Sequence, residues 1–132
     1  MRKKEYVYVL REEGTDFYRI GSTHSIEYRE GVLRQGNPRT LNVRGWVWFH
    51  KDEIVLSVER FIQKSFKHYR YGKHGNSWYF IKDENIVKEI IELICKIQDD
   101  YIERLGLTID TYNPEGVRRT PYLSHLQVIV PC

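Results

Sequence analysis

The sequence is short of the residues that staple, anchor or punctuate a chain. It has two cysteines, four prolines and one methionine among 132 residues. Cys95 and Cys132 are too few for a disulfide framework, and neither has the spacing of a metal ligand. Cys95 falls inside an apolar helical pattern and is expected to be buried. No run approaches the roughly 20 apolar residues that cross a bilayer. The opening Met-Arg-Lys-Lys leads into a strand instead of an apolar signal segment, so no membrane partner is expected. The expectation is an intracellular, cytoplasmic protein. Repeats and low-complexity segments are absent. A dominant charge is absent too, because a net +3 is weak grounds by itself for a polyanionic partner.

What is present fits one soluble domain, with hydrophobic residues at 41% and charged residues at 30%. Aromatic content is high, and ten of those residues are tyrosines. A flat apolar body with a hydroxyl suits either surface recognition or proton chemistry. Basic residues cluster in two places, Arg29, Arg34, Arg39 and Arg44 in one, and Lys64, Lys67, His68, Arg70, Lys73 and His74 in the other. Acidic residues concentrate at 83–103. The asymmetry suggests one basic face, with an ordinary solvated surface as the alternative for any single cluster.

Periodicity organises the chain. Residues 5–11 are β-branched and aromatic and read as a strand. Turn chemistry at 12–16 leads to a returning strand at 17–21. Ser25 can cap a helix over about 26–35, stopped by Gly36-Asn37-Pro38. Residues 40–49 form a third strand, with Trp46 and Trp48 expected on opposite faces of it, one in the core and the other left unassigned. From Asp52 an apolar stripe at Ile54, Val55, Val58, Phe61, Ile62 and Phe66 marks a helix. The basic segment 67–77 is a loop and 78–81 a short strand-like piece. Ile86, Ile90, Leu93, Ile94, Ile97, Tyr101 and Leu105 mark a long helix ended by Gly106. A tail follows, ending in a strand-like run at 126–130. Strands and helices mix without regular βαβ alternation, which favours an α+β arrangement.

Four features could carry chemistry. Tyr6 and Tyr8 share one face of the first strand, although tyrosine is also simply a good strand former. Tyr18-Arg19-Ile20-Gly21 ends the second strand on a glycine, a residue that permits close backbone approach. Arg29 lies on the inward side of its helix, where it needs a phosphate or an internal salt bridge. Glu59 borders the apolar stripe of the helix from Asp52, as a metal ligand would or as a boundary glutamate paired to a lysine would.

Taken in order, these pieces resemble the GIY-YIG nuclease superfamily, in its phage-type DNA-binding branch. The matching residues are Tyr6-Val7-Tyr8-Val9-Leu10, Tyr18-Arg19-Ile20-Gly21-Ser22 and Arg29, then Gly36-Asn37-Pro38 with Leu41. Val58-Glu59, Phe66-Lys67, Tyr69-Arg70, Gly75, Trp78 and Phe80 complete the set. The resemblance spans roughly residues 5–81. It implies a small, mainly antiparallel three-stranded sheet flanked by helices, with residues 1–82 as the nuclease core. Residues 83–132 would be an extra C-terminal helix and tail packed on that core or extending it.

The resemblance also implies roles. Tyr8 stands for the tyrosine of the first motif, a general base or water-orienting group. Because free tyrosine ionises near about pH 10, a cation must stabilise its phenolate. Arg29 stands for the arginine that neutralises charge on the phosphate. Glu59 stands for the single metal ligand, holding one Mg²⁺ or Mn²⁺ ion as a Lewis acid. Asn76 matches the assisting polar residue, and Arg34, Asn37, Arg39, Lys67, His68 and Arg70 are expected to contact DNA. Two positions depart from the motif. Tyr6 replaces a glycine, and Arg19 falls where the second motif has tyrosine, with Tyr18 one position early. An offset of one residue turns a side chain to the other face of a strand. Arg19 would then hold a phosphate or assist Tyr8, as a basic residue does in some family nucleases, or it would mark a domain that binds DNA without cutting it. The expected function is therefore a metal-dependent DNA endonuclease. The alternatives are an inactive DNA-binding module of the same fold and an interaction protein working through its long helix, with a homodimer as one route to specificity.

Overall fold

Alternation along the first two strands decides which residues meet the helices. In the computed structural model, residues 4–24, 41–71 and 78–108 are described, together with Tyr112 and Arg119. Strand β1 (Tyr6–Glu12) and strand β2 (Phe17–Thr23) form an antiparallel hairpin. Gly14 turns it with φ of 79°, in the left-handed region that glycine enters without cost. Thr15 locks the turn, its hydroxyl donating to the Glu12 carbonyl at 2.8 Å and accepting from the Phe17 amide at 3.1 Å.

Strand β3 (Leu41–Trp48) pairs antiparallel on the far side of β1, and strand β4 (Trp78–Phe80) pairs antiparallel on the far side of β2. The sheet order is β3-β1-β2-β4. The domain is α+β as expected, but among the described residues the sheet has four strands instead of three. The three-residue β4 completes the edge by matching Phe17, Tyr18 and Arg19 one for one.

Among the described residues, two α-helices cover one face. Helix α1 (Asp52–Ser65) turns Val55, Val58 and Ile62 inward. Helix α2 (Glu84–Arg104) turns in Val87, Ile90, Ile91 and Ile94. They enclose Val7, Val9, Tyr18, Ile20, Val47 and Phe49 of the sheet side in the main core. Each fully buried aliphatic there contributes roughly 1.5–3 kcal/mol. Gly45 lets α2 approach β3, since a Cβ on it would lie 2.8 Å from an Ile91 methyl. Asp83 caps α2 by accepting from the Asn85 amide at 2.9 Å, and Gly106 ends it with φ of 70°. Tyr8, Leu10, Val43 and Trp46 form a second buried cluster on the other face.

Three expectations about faces need correction. Trp46 and Trp48 do not flank their strand on opposite sides. They pair with Tyr8 and Tyr6, because residues two apart in a strand share a face. Phe61, expected in the inward stripe of α1, is 52% exposed, since Val55, Val58 and Ile62 already define the inward direction and Phe61 lies about 100° off it. Leu105, expected to continue the stripe of the long helix, is 43% exposed just beyond the helix end. Cys95 is half-buried. The predicted helix at 26–35, its stop at 36–38 and the terminal run at 126–130 lie outside the described residues.

Candidate functional site

β2 organises the site because its two faces receive different neighbours. Tyr8 lies opposite Gly21 in the hairpin register. Its ring lies so close over that glycine that a Cβ there would sit 2.6 Å from the hydroxyl oxygen and 2.9 Å from Cζ. No other residue at position 21 would leave the ring in place. Two residues earlier on the same face, Arg19 donates from Nε to the Tyr8 hydroxyl at 3.3 Å. The Arg19 guanidinium also lies 5.7 Å from the centroid of the Trp78 ring, its partner across β4. Phenol, guanidinium and indole thus form one row across three strands. A cation held between a ring face and a hydroxyl oxygen is directed by both, since the ring quadrupole and the lone pair each favour positive charge.

Tyr18 goes the other way. It projects into the helix-covered core at 0% exposure, and its hydroxyl has no hydrogen-bond partner among the described residues. Burial pushes its ionisation up, opposed by Arg11, whose guanidinium lies 5.7 Å from the ring centroid. Tyr8 and Tyr18 therefore occupy opposite faces of the hairpin.

Glu59 comes from α1, next to the inward Val58. Both of its oxygens are engaged. The Ser22 hydroxyl on β2 donates a short hydrogen bond to Oε1, and Gln63, one helical turn further on, donates from Nε2 to Oε2 at 2.9 Å. The same Gln63 amide donates to the Ile20 carbonyl at 3.1 Å. β4 ends its pairing at Arg19, so this stretch of β2 has an outer edge with no strand partner among the described residues, and Gln63 satisfies a carbonyl that a strand would otherwise take. One side chain ties the carboxylate to the strand that carries Arg19 and Gly21.

Tyr79 lies nearby on the helix side, fully buried. Burial pushes its ionisation up, with the Arg70 guanidinium pulling down and the Glu59 charge adding to the rise. Lys67 and His68 stand in the single tight turn Lys67–Tyr69 after α1, both exposed, with the His68 ring 4.1 Å from that of Tyr69. Arg70 follows and bridges back to Tyr79.

The structure thus gathers Tyr8 and Arg19 on one face, and Glu59 at the open edge of the same strand. Tyr18 does not join them. Arg29, Arg34, Asn37, Arg39 and Asn76 lie outside the described residues. The motif set includes Ser22 and Trp78 without giving either a role, and it does not include Gln63. Two signals pointed to the site, namely Gln63 four residues after Glu59 on one helix and Ser22 directly after the glycine. Among the described residues no group of three or more His, Cys, Asp or Glu side chains is placed to hold a metal ion. The donors at Glu59 are one carboxylate and one hydroxyl. Such an oxygen set suits a hard divalent ion that keeps most of its waters.

A four-stranded antiparallel sheet covered by two helices, with a tyrosine–arginine pair on one face and a tethered carboxylate at an open edge, defines a small α+β domain. Residues 5–95 match the T5orf172 domain, and the chain belongs to that family. No curated protein and no solved structure matches it. None of the described helices is long and apolar enough to cross a membrane.

Proposed function

We propose that the domain is a metal-dependent endonuclease that hydrolyses DNA phosphodiester bonds in the manner of GIY-YIG nucleases. T5orf172 domains occur in phage and nuclease-like proteins, which agrees with a nuclease or DNA-binding role. The observation that carries the finer reading is the Arg19 N–H aimed at the Tyr8 hydroxyl across Gly21. A donor on that oxygen supports negative charge there when the proton leaves, as a general base or water-orienting phenol requires. Arg19 stands where the second motif of those nucleases has tyrosine, and in this chain it shares the face of Tyr8.

Glu59 would hold one Mg²⁺ or Mn²⁺ ion, with Gln63 and Ser22 fixing the carboxylate. When bound, the ion would supply Lewis-acid stabilisation to the leaving oxygen. Tyr8 orients the attacking water and takes its proton. Arg19 steadies the phenol and offers its remaining N–H groups to a phosphate oxygen. Arg29 is assigned the phosphate charge by resemblance, and Lys67, His68 and Arg70 continue a basic rim after α1.

A second reading, a DNA-binding module that does not cut, draws on the burial of Tyr8, which is only 1% exposed. Plasmid cleavage with Mg²⁺ or Mn²⁺, run beside Glu59→Ala and beside EDTA, separates the two. Cutting that disappears in both controls supports the nuclease. DNA bound but never cut, with either metal and several substrates, leaves the binding module.

A further inference from the structure

Beyond Arg19, the same face of β2 and β4 carries rings that the core does not use. Phe17 and Phe80 are register partners with centroids 5.2 Å apart. Tyr71 meets Phe17 edge-on at 4.7 Å. Tyr71 is 53% exposed and Phe80 37%. The Lys82 ammonium lies 5.7 Å from the Phe80 centroid, and in the next row the Arg19 guanidinium lies at the same distance from Trp78. Aromatic surface and positive charge therefore alternate along one sheet edge, running from Tyr71 to the Tyr8–Arg19 pair. Asp16, beside Phe17, is within 3.7 Å of Arg11, which offsets its charge.

We infer that this edge is a stacking platform for unpaired bases of the DNA strand to be cut, an inference that rests on the nuclease reading above. A contiguous exposed apolar patch usually marks a contact surface. The flanking cations favour a polyanion over an apolar peptide. Inside a duplex the base faces are already stacked, and only their edges reach a protein. A ring platform is useful to bases that are splayed out or single-stranded, whose faces it can cover without regard to sequence. The substrate class this implies is DNA with an unpaired stretch beside the scissile phosphate, as in a flap, gap or fork.

The test uses fluorescence anisotropy of the full chain in EDTA, so that binding is read without cleavage. One labelled strand is offered alone and then fully paired. Tyr71→Ala and Phe80→Ala are each expected to weaken single-strand binding by roughly 5- to 150-fold, with duplex binding nearly unchanged. Tyr71→Trp should retain single-strand binding, because a larger ring still stacks. Phe61→Ala, which removes a ring exposed to a similar degree on α1, should change neither. Circular dichroism melts of each variant establish that the fold is kept. Unchanged single-strand affinity in folded Tyr71→Ala and Phe80→Ala overturns the inference, and so does an equal loss for strand and duplex. If the rings govern binding but no DNA is ever cut, the nuclease reading fails and the platform stands.

Discussion

The two faces of β2 are built from alternate residues of one heptapeptide, Phe17–Thr23, yet they serve different ends. Tyr18, Ile20 and Ser22 face the helices, where the first two are core and the third holds Glu59. Phe17, Arg19 and Gly21 face the other way, as a ring at the edge, a cation and a gap that admits Tyr8. The comparison is sharpest between the two motif tyrosines. Tyr8 reaches a charged partner, while Tyr18 is closed into apolar surroundings with an unsatisfied hydroxyl. Identical side chains on adjacent strands thus differ in chemistry because register gives them different neighbours.

The most demanding way to break this contrast is to remove each hydroxyl in turn. Tyr8→Phe should lower the cleavage rate by about 10²- to 10⁴-fold, the range for losing a general base, and cost about 0.5–1.5 kcal/mol of stability through the lost Arg19 hydrogen bond. Tyr18→Phe should leave cleavage near wild type and make the fold about 1 kcal/mol more stable, because it deletes a buried hydroxyl that has no partner. An inverted result would mean that the helix-side tyrosine is the working one.

Gly21→Ala tests the gap itself. A methyl 2.6 Å from the Tyr8 hydroxyl must push the ring aside, costing about 1–3 kcal/mol in denaturant unfolding and separating the phenol from Arg19. Loss of stability with full cleavage would show that the ring position does not matter for chemistry.

Gln63→Leu sharpens the opposite side. It frees one carboxylate oxygen and the Ile20 carbonyl, and should weaken Mn²⁺ binding by about 10- to 100-fold in a calorimetric titration, the usual cost of losing a supporting hydrogen bond at a metal site. Unchanged metal affinity would make Gln63 a strand-edge cap only.

The smallest effect is on pH stability. Burial raises the ionisation of Tyr18 and Tyr79, and that of Tyr112 to about 12. The unfolded chain loses these protons near about pH 10, before the folded chain does, so the tyrosines' contribution to folding stability should be level below that pH and fall as pH rises from there toward about 12. Phenolate absorbance followed through an alkaline titration should show these groups ionising only as the fold is lost. Early, fully reversible ionisation of every tyrosine would contradict their burial.

Much of the architecture is legible in local pattern. The turn at Gly14, the helix starting at Asp52, and the helix stop at Gly106 follow from short-range chemistry, since turn and cap preferences depend on a few neighbouring residues. The class, α+β, follows from element order. Faces are harder to read. The strand at 41–48 is recognisable from its Val and Trp content, but the bulge that leaves Arg44 unmatched between Val43 and Gly45 comes from its pairing with β1. Phe61 counts as apolar in any periodicity analysis, and only the position of the sheet shows that it faces outward.

The sequence alone determined that Tyr8, Gly21 and Glu59 stand in an order resembling a nuclease motif, because order and spacing are properties of the chain. Tertiary structure decided that Arg19, and not Tyr18, meets Tyr8, that Gln63 and Ser22 tether Glu59, and that Phe17, Tyr71 and Phe80 share an exposed edge. These contacts join residues from different strands and a helix, and their formation depends on register and on where β4 stops pairing, neither of which is encoded by any short stretch of chain.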